Sequence, residues 1–132
     1  MLAPHIPLRM LSQYDPVSFP GNGAPLELRK QAIRTALSNC QITSDNCREK
    51  IPVTKEPDLL EDLCNMRKAA LLAIPLAEAA LRSDTLEDFN NREGEFRTQY
   101  ANLIGTIKSF LWDALGTPAR AKSLYELSEE LM

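Results

Sequence analysis

The sequence predicts an all-α protein, a four-helix bundle-like domain built around a long antiparallel helical hairpin, and three observations carry that reading. Apolar residues recur at alternating steps of three and four from Leu86 through Phe89, Phe96, Tyr100, Leu103, Ile107 and Phe110 to Ala114, interrupted at Glu93 alone. A second series with the same alternation, Leu59, Leu63, Met66, Ala70, Ala73, Ala77 and Ala80, precedes it. Between the two lie only Ser83, Asp84 and Thr85, too few for anything but a hairpin turn, so helices over about 57–82 and 85–115 are expected to pack antiparallel. Aromatic residues are 6% of the chain, so its core must be mostly Leu, Ile and Ala, which suits packed helices better than a β-sandwich.

The 132 residues suit one domain, read as an extended Pro-rich apolar arm over 1–24 followed by a single helical domain over 25–132. Pro4, Pro7, Pro16, Pro20 and Pro25 forbid a long helix in the arm, while Leu2, Ile6, Tyr14, Val17 and Phe19 give it apolar surface to hide. The Gly21-Asn22-Gly23 turn lacks the Lys-Ser/Thr and the preceding strand of a phosphate loop and reads as a plain turn. Helix 1 is expected from Pro25 to about Cys40, through Leu26, Arg29, Ile33, Ala36 and Leu37, with Arg29, Lys30 and Arg34 on a solvated basic face. The polar run that follows, with Pro52, predicts a loop over 41–54 that holds at most a helical turn at Asp45 to Lys50.

For the second helix Thr54 is the candidate cap, with Glu56, Asp58, Glu61 and Asp62 placed where the helix dipole favours acids. Pro75 is expected to kink it, since its ring clashes with the carbonyl of Leu71 and removes one ladder bond. Asp84 and Glu87 read as a capping box for the third helix. A hairpin centred near Asp84 sets Ala79 near Phe89 and Leu72 near Phe96, and brings Pro75 level with Glu93 and Gly94. A fourth helix is expected from Pro118 to about Leu131, after a stop at Gly116. Apolar flanks crowd only the second half of helix 3, around Ile104, Leu111 and Trp112, so a globular base with a thinner projecting hairpin tip is expected.

Chemistry is sparse. Cys40, Cys47 and Cys64 have no C-x-x-C spacing and His5 is the single histidine, so neither a metal site nor a cofactor is expected. An odd cysteine count suits a reducing, intracellular and cytoplasmic setting; the alternative is a secreted or injected protein with a Cys40–Cys47 disulfide. The first 14 residues have a faint transit-peptide flavour, but Pro4, Pro7 and Arg9 break up any signal-peptide apolar region, and no 18-residue apolar run exists to span a membrane. Residues 1–50 carry six Lys/Arg against four Asp/Glu and residues 51–132 nine against fourteen, so no phosphate-backbone footprint is present and nucleic acid is not expected as a partner.

No Ser, Cys or His constellation supports catalysis, and Glu93 reads as a boundary carboxylate reaching solvent, with a raised pKa or an ion pair to Arg67, Arg92 or Arg97 as its alternative. The stretch from Leu26 to Ile33 with Arg29 distantly resembles the opening of helical chorismate mutases, but the further Arg and Lys residues that such a pocket needs do not follow, and no assignment is made on it. The expectation is a non-catalytic protein-protein interaction module, an adaptor or assembly subunit that works by burying a helix face against a protein partner or a second copy. Trp112, Phe89, Phe96, Tyr14 and Phe19 are its candidate contacts. Two alternatives stand beside it: a small helical enzyme or binding domain whose anionic ligand meets Arg29, Arg34 or Arg67, and an effector that binds a host protein.

Overall fold

The computed structural model describes residues 17–115, which form three helices: α1 (Leu26–Lys50), α2 (Pro57–Leu81) and α3 (Leu86–Leu115), with a 3-10 turn, Ile51–Val53, between the first two. All the regular structure among the described residues is helical, and the three helices pack against one another. The expected fourth helix and Tyr14 lie outside the described residues, among which the bundle has three helices.

All three helices carry the alternating spacing on their buried sides. On α2 the predicted series from Leu59 to Ala80 is buried throughout. The α3 series is buried from Phe89 to Phe110, Glu93 included, whereas Leu86 is 58% exposed and so drops out of the seam. On α1 the buried series is Arg29, Ile33, Ala36, Cys40, Thr43 and Cys47, with Asn39 beside it. That last series explains why most of the expected 41–54 loop is instead nearly three further turns of helix, at about 3.6 residues per turn, through Lys50. Thr43 and Cys47 extend the spacing into the core, and the Thr43 hydroxyl is satisfied within the helix by the carbonyl of Asn39 at 2.9 Å. Burial thus outweighs the weak helix propensity of Thr-Ser-Asp-Asn.

The helix ends also differ from expectation. Thr54 does not cap α2; its hydroxyl turns back to the Lys50 carbonyl at 2.7 Å and closes the 3-10 turn. The cap of α3 is Thr85, one residue after the expected Asp84, because its Oγ1 accepts the Asp88 N–H at 3.1 Å.

Cross-helix bonds fix the directions. Ser109 with Asp62, Gln99 with the Ala69 carbonyl and Arg92 with the Ala79 carbonyl make α2 and α3 antiparallel about a turn near residue 85. Arg29 with Glu93 and Asn39 with Tyr100 make α1 parallel to α3. The start of α1 therefore stands beside the hairpin turn, and the tip is flanked by three helices rather than projecting as a thin pair. Within this register Leu72 does not face Phe96; it is 52% exposed on the outer side of α2.

Candidate functional site: a basic apolar groove on α2

The polar residues at the seam come together first. Arg29 and Glu93 are almost fully buried, and the guanidinium grips the carboxylate side-on, Nη2 to Oε1 at 2.7 Å and Nε to Oε2 at 3.3 Å. Nη2 also donates to Asn90 Oδ1 at 2.7 Å, and the Phe89 ring lies 4.9 Å from the Arg29 Cζ. Arg29 is thus no member of a solvated face, and Glu93 neither reaches solvent nor pairs with Arg67, Arg92 or Arg97. The sequence hides this pair because its members stand 64 residues apart; the only signal was a charged residue at a seam position on each helix. Farther along, Asn39 Nδ2 donates to Tyr100 Oη at 3.0 Å, and burial pushes the Tyr100 pKa up against that bond. These groups are sealed and mutually satisfied, which makes them a structural layer.

The aromatic candidates divide in the same way. Phe89 and Phe96 are core residues, at 1% and 0% exposure, so no partner reaches them while the bundle is closed. Phe19 lies edge-on to Phe96 and Tyr100, at 6.3 and 5.9 Å between ring centres, with Arg97 over its other face at 5.0 Å. Its role is to fasten the chain before α1 onto α3, and Val17 in the same segment is also buried. Trp112, by contrast, is 55% exposed and remains a surface contact candidate.

The anion-binding candidates are not brought together. Arg29 is consumed by Glu93, and Arg34 reaches Glu27 and Gln31, both at 3.3 Å on the surface of α1. Arg67 lines a cavity. That cavity, about 300 Å³, is an open groove on the outer face of α2, lined by Ile51, Cys64, Arg67, Lys68, Leu71 and Leu72. Leu71 and Leu72 are half exposed in it, and Arg67 Nε is buried without an acceptor among the described residues. Because Pro75 offers no N–H, the Leu71 carbonyl loses its usual ladder donor on this same stretch. The groove therefore combines leucine surface with two cations.

No family model, characterised protein or solved structure matches this chain. Its function has to be read from the groove and the core alone.

The cysteines support neither catalysis nor a local disulfide. Cys40 and Cys47 lie seven residues apart on one helix, about 10 Å at the usual helical rise, which is beyond the reach of a disulfide. Burial pushes both thiols up to about 12; at Cys47 the neighbouring Cys64 adds to the rise and Arg67 opposes it. Among the described residues no group of three or more His, Cys, Asp or Glu could hold a metal ion, and no helix is long and apolar enough to cross a membrane.

Proposed function

We propose that this chain is a non-catalytic protein-interaction module, an adaptor or assembly subunit that takes a partner's acidic amphipathic helix along the outer face of α2. One observation carries the reading: adjacent leucines, 48% and 52% exposed, stand beside Arg67 and Lys68 on a helix whose opposite face is fully buried alanine. A core-facing helix needs its apolar residues on one side only, so Leu71 and Leu72 are surplus to the bundle. A helix laid in the groove would cover them with its own apolar stripe and set its carboxylates against the two cations. The fourth helix expected over Pro118 to Leu131 is itself of this kind, with Leu124, Leu127 and Leu131 among Glu126, Glu129 and Glu130. In this reading such a helix, from this chain or from another protein, completes a four-helix arrangement.

The test uses the full chain labelled with ¹⁵N and two helical peptides that share a leucine stripe but carry either Glu or Lys on its flanks. The acidic peptide is expected to shift the resonances from Cys64 to Leu72 and the basic one to leave them unchanged. Leu72→Glu should abolish the response, and Arg67→Glu with Lys68→Glu should reverse the preference. Equal response to both peptides, or none to the acidic one, overturns the proposal. Light scattering on the same sample reports whether a second copy already occupies the face.

A further inference from the structure

At the end of the bundle away from the hairpin turn, Asp62 of α2 is packed against α3 with 8% of its surface exposed. Its Oδ1 accepts the Ser109 hydroxyl at 3.3 Å, whereas its buried Oδ2 meets no donor among the described residues. Asp113 stands one turn beyond Ser109 on the same face of α3, which sets its carboxyl beside Asp62, and it acts on Asp62 both as a hydrogen-bond partner and as a charge. Two ionised carboxylates are acceptors only and repel, so they can bond each other only through a proton that one of them carries. The orphaned oxygen and the facing carboxyl are thus one problem with one solution.

We propose that Asp62 and Asp113 share a single proton, and that this proton latches the C-terminal end of α3 onto α2. The proton comes from solvent and returns to it; no other bond is made or broken. Burial first, then the hydrogen bond and charge of Asp113, raise the Asp62 pKa from 3.8 to about 7; the Ser109 bond lowers it and Glu61 adds a smaller rise. Apart from the Ser109 hydroxyl, the described surroundings offer the ionised form no relief. On α3 the charged residues flanking Ser109 are Lys108 and Asp113, and on α2 Glu61 adds negative charge. Near this end α1 buries the uncharged Thr43 and Cys47 while its Asp45, Arg48 and Glu49 are exposed. Among the described residues no cation is one of the groups that act on Asp62.

The sign follows from the raised value. Between about pH 4 and 7 the folded protein holds a proton that the unfolded chain has released, so stability falls as the pH rises through that window, by up to about tenfold in the folding constant per unit. Below it the latch is complete, and above it the two negative charges face each other and the end of α3 loosens. This device is independent of the groove on α2.

Trp112 is the chain's single tryptophan and the residue before Asp113, which makes it the reporter. Its fluorescence is followed from pH 5 to 9 on the full chain, with urea unfolding at pH 5.5 and 8.5. Wild type is expected to show a one-proton step near pH 7 and a folding constant at least about tenfold lower at the higher pH. Asp62→Asn should remove the step and be more stable than wild type at pH 8.5, without that gain at pH 5.5. Asp113→Asn, at an exposed position, should also remove the step and serves if the first variant folds poorly. A wild type without the step, a step that survives both variants, or one abolished by His5→Gln overturns the proposal.

Discussion

Where α3 meets α2, alanine lies against aromatic rings and the two backbones approach closely; where α3 meets α1, the backbones stand farther apart and long side chains span the gap. Ala69, Ala70, Ala73, Ala77 and Ala80 leave room for Phe89, Phe96 and Tyr100, and they also leave α2 carbonyls open enough for Arg92 and Gln99 to reach. The α1–α3 side is bridged by Arg29 with Glu93 and by Asn39 with Tyr100. Apolar packing tolerates a slide of one turn when both faces carry the same repeat, but a buried ion pair does not, because sliding strands two charges in the core. The α2–α3 and α1–α2 contacts thus supply most of the cohesion, and the α1–α3 bridges choose the register of the helix that is not held by a short turn.

The largest expected effect breaks the bridged side. Glu93→Ala leaves the Arg29 guanidinium buried with only Asn90 to accept from it, and should cost about 3–5 kcal/mol in urea unfolding. Replacing both, Arg29→Leu with Glu93→Leu, should restore most of that stability, since an ion pair so deeply desolvated adds little net stability over an apolar pair. If the single variant costs under about 1 kcal/mol, water reaches the pair and the register argument fails. If the double variant is stable but gives poorly dispersed amide resonances, the pair's role is specificity.

The tight side should respond to added volume rather than to lost charge. Ala73 is fully buried against α3, and Ala73→Leu should cost about 1–3 kcal/mol by forcing the two backbones apart. A loss under about 1 kcal/mol in thermal unfolding would mean that the α2–α3 seam is not tightly packed.

This difference also decides what could be read from the sequence. The α2–α3 hairpin was legible because both of its seams are written in Leu, Ala and aromatic residues, the letters that a periodicity argument recognises. The second half of α1 was not, because its seam from Cys40 through Thr43 to Cys47 is small or polar, and Ser-Asp-Asn around it imitates a loop. Arg29 and Glu93 each looked solvated on its own, and only the parallel course of α1 and α3 makes them neighbours. The groove escaped for the reverse reason. Leu71 and Leu72 look like ordinary core residues of an alanine-rich helix, and only the register shows that the alanines fill the inner face and leave the leucines outside.

The smallest expected effect concerns the level at which Pro75 of α2 comes opposite Gly94 of α3. Helix α2 runs unbroken through Pro75, which is exposed, and Gly94 lies in the interior of α3 with open space where a Cβ would stand. Gly94→Ala should therefore raise stability by about 0.5–1 kcal/mol, the usual gain from removing backbone freedom at a position already helical. Gly105→Ala, also helical and open, provides the matched control on the other half of α3. Gly94 immediately follows the buried Glu93, so equal gains at both sites, with the acidic-peptide response unchanged, would make Gly94 an ordinary helical glycine. A smaller gain at Gly94 that comes with altered peptide binding would instead make this level a flexing point between the bridged seam and the outer face of α2.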